Sequence, residues 1–173
     1  MPNNTDFAAN PAQFIVTKAI LIPGGINAGA GRFNLADNGN ASCLLQATNS
    51  PRDLRGYYAK PLPNANNDFA LPTTSDYMFT DLLNGCQFMA YGADRQHVTV
   101  EHNNFITTPA NYAARYLTVH GAGHAYFFGM RPVTDYNALQ GLCIIGTYDR
   151  QNGWRFWVRQ RVDLARGVLA GPH

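Results

Sequence analysis

The sequence predicts an α+β protein, a β-sandwich of mixed sheets with helices packed outside, in a single catalytic domain spanning all 173 residues. Three observations predict it. Charged residues make up only 14% of the chain, against roughly 25% in typical domains, while hydrophobic residues make up 46%. Asparagine and glycine supply much of the remaining polarity, and both favour turns between short elements. The apolar runs are short, rich in β-branched and aromatic residues, and bounded by Gly, Pro and Asn, as strands are. Only two segments read as helices. A chain of this length suits one domain and can bury a sizeable core.

In chain order, residues 14–22 are apolar and β-branched and read as a strand that stops at Pro23-Gly24-Gly25. Residues 32–35 and 41–47 read as further strands. Residues 60–73 hold three prolines and three asparagines and read as a loop. A helix is expected from Ser75, a good N-cap, through residue 83, with Met78, Phe79, Leu82 and Leu83 on one face. Gly85 then ends it in a left-handed conformation. Residues 86–91 and 97–102 read as two strands of a hairpin joined by Gly92-Ala93-Asp94-Arg95. A second helix is expected from Thr108-Pro109, an N-cap followed by proline at the first helical position, through residue 117. Residues 125–130, 142–148 and 154–162 read as strands. The last alternates cleanly, and Asn152-Gly153 marks a turn before it.

The hairpin places chemistry side by side. Side chains alternate along a strand, so Cys86, Phe88 and Ala90 share a face, as do Val98, Val100 and His102. Burying both apolar sets together predicts Phe88 opposite Val100, Ala90 opposite Val98 and Cys86 opposite His102. Directly paired residues have Cβ atoms roughly 4.5–5.5 Å apart, close enough for a thiol and an imidazole to exchange a proton. His97 falls on the other face, beside the turn, so His102 is the preferred base. A nearby imidazole can promote the thiolate, the thiolate attacks a carbonyl carbon, and the histidine returns a proton to the leaving amine. The N–H of Cys86 is the natural oxyanion donor, since Gly85 lets a substrate approach closely. Spacing alone also allows a buried cysteine and histidine that merely pack.

The stretch Phe79-Thr80-Asp81-Leu82-Leu83-Asn84-Gly85-Cys86 resembles the signature of the glutamine deamidases related to Burkholderia lethal factor, cytotoxic necrotizing factor and the chemoreceptor deamidase. Thr80 stands six positions before Cys86, as a threonine does in the lethal factor and the chemoreceptor enzyme. Leu83-Asn84-Gly85-Cys86 is similar to the toxins' Leu-Ser-Gly-Cys. Asn84 stands in place of the serine, at a position with a local turn or donor role. The resemblance covers residues 75–105. It implies a centre of Cys86 and a histidine on the following strand, with Thr80 orienting the imidazole, and Asn84 and Gly85 at the substrate. Both His97 and His102 fall within that range, and the hairpin register favours His102. It implies hydrolysis of a glutamine side-chain amide in a host protein, giving glutamate and ammonia. The alternatives are a cysteine protease, a transglutaminase-like acyl transferase, or a non-catalytic binding module.

Other residues read more plainly. The net charge of +2 is too small to argue for nucleic acid or an acidic membrane surface,. Arg150, Arg155, Arg159, Arg161 and Arg166 gather near the C-terminus and read as a solvated strand face, with a surface for an acidic partner as the alternative. The three cysteines show no zinc spacing and no disulfide framework; Cys43 and Cys143 lie in apolar runs and read as core. His120 and His124 are separated by glycines that argue against a helical metal pair, so no metal and no cofactor are expected. Glu101, the only glutamate, points away from His102. Asp76 is explained as helix-start charge, and Asp81 is given no role. The N-terminus lacks a basic start followed by an apolar run. A monomer made in the bacterial cytoplasm is expected, and the resemblance implies delivery to the host cytosol without a cleaved signal.

Overall fold

The computed structural model describes residues 2–39, 41–139, 141–161 and 167–170. Val162 and Arg166 lie outside the described residues, as does the side chain of Arg161.

The chain opens with helices α1 (Pro2–Ala9) and α2 (Pro11–Thr17). This overturns the strand expected over residues 14–22, of which only β1 (Ala19–Leu21) is extended. The cause is local. Asn10 caps α2, its side chain accepting from the N–H of Gln13 at 3.1 Å, and Pro11 fits the first turn, where its missing N–H has no partner to lose,. Phe14 and Ile15 are then buried from one helix face.

The remaining elements are β2 (Gly29–Asp37), β3 (Ser42–Thr48), β4 (Leu54–Ala59), β5 (Leu62–Pro63), β6 (Asp68–Ala70), β7 (Tyr77–Thr80), β8 (Gln87–Gly92), β9 (Val98–Asn104), α3 (Ala110–Gly121), β10 (Tyr126–Met130), β11 (Leu142–Asp149), β12 (Gly153–Arg161) and β13 (Gly167–Ala170). They form an eight-stranded sheet, ordered β1-β3-β2-β4-β7-β11-β12-β13, and a five-stranded sheet in which β10-β8-β9-β5 is extended by β6 on β9. β1–β3, β4–β7 and β5–β9 are parallel, so both sheets are mixed. Residues 60–73, expected to be loop, thus supply two short strands to β9.

Two cores follow from the large sheet having two buried faces. Between the sheets, Met78, Ile144, Trp154 and Phe156 meet Phe88, Val98, Val100 and Phe128. On the other face, Phe33, Leu35, Leu45, Tyr58, Phe79 and Ile145 meet Phe7, Phe14 and Ile15 of the two helices. Helix α2 contacts β1 and also β12 and β13, so it spans the two ends of the large sheet. The architecture is the expected α+β sandwich.

β7 overturns the helix expected from Ser75. Met78 serves the first core and Phe79 the second, a two-residue alternation that a helix cannot give,. β7 lies between parallel β4 and antiparallel β11, so its backbone bonds are satisfied from both sides. A short apolar run fits a buried strand and a helix face equally by spacing, and here the neighbouring strands decide.

Helix α3 lies on the outer face of the small sheet. Gln87 donates to the carbonyl of Tyr112 at 2.8 Å, and Arg115 forks onto Glu101. The helix runs four residues past the expected end, to Gly121, and so includes His120.

The hairpin exists with the expected faces but not the expected register. Phe88 pairs with His102, Ala90 with Val100 and Gly92 with Val98. The slip is two residues, which preserves every face. Asp94 causes it, accepting from the N–H groups of Gln96 and His97 at 2.7 and 2.8 Å and extending the loop to His97. Gly92 is needed there, since a Cβ would lie 1.8 Å from the carbonyl oxygen of His97.

Candidate functional site

The site lies where the turn after β7 enters β8. Residues 81–86 leave the large sheet and cross to the small one. Leu83 is anchored by a bridge to Leu142. Gly85 has φ of +124°, a conformation closed to side chains with a Cβ,. The expected positive φ is therefore present, but it sits in a turn into a strand, not at a helix end. Two tyrosines hold this turn. The Tyr136 hydroxyl accepts from the N–H of Gly85 at 3.2 Å and donates to the carbonyl of Cys86. The Tyr112 hydroxyl donates to the carbonyl of Gly85 and accepts from the N–H of Phe105 at 2.8 Å.

Cys86 and His102 both belong to the region between the sheets. Cys86 is 4% exposed and His102 fully buried. Phe88, not Cys86, stands across from His102, so the thiol lies one step along the ladder on the same side. The two side chains are not hydrogen-bonded.

His102 is fixed by its other nitrogen. Nδ1 lies 2.8 Å from the carbonyl oxygen of Ala59 at the end of β4. A carbonyl only accepts, so Nδ1 carries the proton and Nε2 presents a lone pair. Nε2 is buried and has no hydrogen-bond partner among the described residues. Burial pushes the imidazole pKa down to about 4, opposed by the Ala59 carbonyl and by the charge of Asp81. Burial likewise pushes the Cys86 thiol up to about 11, with Asp81 adding to it. The resting pair is a neutral thiol and a neutral imidazole.

Thr80 is fully buried, and its hydroxyl accepts from the N–H of Ile144 at 3.0 Å. It pairs with Ala59 across the β4–β7 ladder. The group that touches the imidazole is thus the carbonyl of Thr80's strand partner. Asn84 is exposed. His97 sits at the far end of the hairpin, exposed and bonded to Asp94. Glu101 faces α3, held by Arg115, Tyr91 and Asn103.

A cavity of about 400 Å³ opens at Cys86. Its lining brings Cys86 together with Asp81, Leu82, Asn84 and Asn104, and with Ala19 to Ile22, Pro61, Cys143, Ile145 and Arg159. Cys143 is therefore a cavity-lining, partly exposed residue and not the core position expected; Cys43 is fully buried. Arg159 also departs from the solvated face expected of it, being 7% exposed.

No protein-family model matches the chain, and no curated protein matches it. What the site does has to come from its own chemistry.

Sequence reasoning passed over Asp81, Ala59, Tyr112 and Tyr136. Asp81 was within reach, being adjacent to Thr80 in the recognised stretch. The Ala59 carbonyl and the two tyrosines carry no local signal, because they meet the turn only through tertiary folding. Among the described residues, no group of three His, Cys, Asp or Glu side chains is placed to hold a metal. Among them also, no helix is long and apolar enough to cross a membrane.

Proposed function

We propose that this protein is a toxin-type protein-glutamine deamidase, with Cys86 as nucleophile and His102 as general base and acid. The observation that carries the reading is the state of His102. Its Nδ1 is committed to Ala59, and its Nε2 is a buried acceptor with no partner, on the same side of the hairpin as a thiol that opens onto a cavity. A buried acceptor left unpaired costs free energy, and a proton to collect is the use that offsets it.

The mechanism requires the Cys86 thiol to reach Nε2. The sulfur attacks the amide carbon of a glutamine side chain as its proton passes to His102. The tetrahedral oxyanion is met by the N–H of Cys86. Collapse breaks the C–N bond, and His102 returns the proton to the leaving nitrogen, which departs as ammonia. Water, deprotonated by His102, then hydrolyses the thioester to glutamate and restores the thiol. Thr80 acts one step removed: its hydroxyl ties β7 to β11 at Ile144, while its backbone pairs with Ala59, whose carbonyl holds the imidazole. Exposed Asn84 lines the cavity, and on this reading it contacts the target protein. The resemblance in residues 75–105 supports the choice of a host protein substrate, and with it delivery to the host cytosol; action as a monomer is part of the same proposal.

The test is ammonia release and amide-to-acid conversion in proteins of exposed cells. Cys86→Ala and Cys86→Ser are each expected to abolish both. Conversion retained in Cys86→Ala excludes the mechanism. With a primary amine added, amine incorporation identifies an acyl transferase, and backbone cleavage a protease.

A further inference from the structure

Asp81 and Cys86 line the same cavity; among its described lining residues Asp81 is the one carboxylate and Arg159 the one guanidinium. Its position is fixed, because the buried Tyr58 donates its hydroxyl to Oδ1. Tyr58 itself is 1% exposed in the second core, so the carboxylate cannot swing away without breaking a bond from a rigid ring. The turn that carries both residues is pinned at Leu83 by the bridge to Leu142 and at Gly85 by Tyr136. Asp81 bears on both Cys86 and His102 electrostatically.

A fixed carboxylate beside a nucleophile treats two related ligands in opposite ways. A primary amide is neutral and offers two N–H donors, which a carboxylate oxygen accepts. A carboxylate ligand offers no donor and carries like charge, and like charges brought together at a site cost several kcal/mol. We propose that Asp81 is the specificity-determining residue of this cavity, selecting neutral primary amides and rejecting carboxylates. On the deamidase reading, on which this inference rests for its natural substrate, Asp81 holds the glutamine amide nitrogen and expels the glutamate product.

The selection is measurable without the natural target. Iodoacetamide and iodoacetate deliver the same alkyl group to sulfur and differ only in carrying a primary amide or a carboxylate. Their rates at Cys86 are to be compared by mass spectrometry of the intact protein and its peptides, with glutathione as the free-thiol reference. In the unmodified protein the iodoacetamide-to-iodoacetate ratio at Cys86 is expected to exceed that of glutathione by about tenfold or more. In Asp81→Asn, which can still accept from Tyr58, the ratio is expected to fall to within about twofold of glutathione. Asp81→Ser should give the same fall, which guards against a folding defect peculiar to one variant. A ratio like that of glutathione in the unmodified protein, or one unchanged in both variants, overturns the proposal. Absence of ammonia release by the unmodified protein overturns the deamidase reading alone, since the alkylation ratio does not depend on it.

Discussion

His102 and Cys86 rest as neutral groups, with pKa values of about 4 and about 11 set first by burial. On the proposed mechanism that arrangement would work as a serine–histidine pair does, with the proton moving as the bond forms, rather than as a preformed thiolate–imidazolium pair. The consequence is a particular pH dependence. Catalysis needs His102 neutral, a condition met above about 4, and needs the thiol proton in place, a condition met below about 11. The kcat/KM for ammonia release is therefore expected to rise through about pH 4 and stay flat to about pH 10, with a normal solvent isotope effect,. A bell centred near neutrality with no isotope effect would show a preformed ion pair instead. His102→Gln is expected to lower kcat about 10²–10⁴-fold. The sequence singles out Cys86, His102 and Gly85, because a thiol, an imidazole and a glycine announce their chemistry by type. The Ala59 carbonyl was not, since a backbone oxygen has no residue type to read.

The turn from β7 to β8 depends on one side chain far along the chain. Tyr136 is 7% exposed, and its hydroxyl serves both the N–H of Gly85 and the carbonyl of Cys86. Tyr136→Phe leaves two backbone groups without that partner, and is expected to cost about 1–3 kcal/mol, read from the denaturant midpoint at unchanged m. It should also lower kcat, because the nucleophile's backbone is what the hydroxyl holds. A variant with unchanged stability would mean that the clamp contributes nothing. The elements themselves were unevenly legible. Asn10-Pro11 carries the same polar-cap-then-proline signal as Thr108-Pro109, yet the β-branched run behind it reads as a strand, and the cap decided the outcome. At β7 the reverse held. Ser75 reads as a cap, but two neighbouring strands and two cores made residues 77–80 extended. Alternation is legible in β8 and β9 and, in β12, at Trp154, Phe156 and Val158, while Val162 lies outside the described residues. The hairpin register was not, because it depended on how far Asp94 extends the loop.

Across the whole molecule, the buried site couples folding to acid. His102 has a folded pKa of about 4, against 6.5 for a free imidazole. Between those values the unfolded chain binds the proton and the folded chain does not, so stability rises with pH through that window. The contribution is fully present above about 6.5 and is lost as pH falls to about 4, an effect of roughly 3 kcal/mol,. Glu101 acts lower. Burial raises its pKa, but bonds from Arg115, Tyr91 and Asn103 outweigh that and hold it below 4.5. Its contribution is present above 4.5 and lost as pH falls through the folded value,. The two windows are separable by denaturant unfolding at closely spaced pH. The unmodified protein should lose stability steadily from pH 6.5 to 4.5 and more steeply below it. In His102→Gln the upper slope should vanish while the lower one remains, and in Glu101→Gln the lower slope should weaken while the upper one remains. Equal upper slopes in the unmodified protein and His102→Gln would mean that His102 takes up its proton in the fold as readily as in the open chain. A buried, neutral Nε2 acceptor would then not exist at working pH, and the general-base role would have no group to perform it.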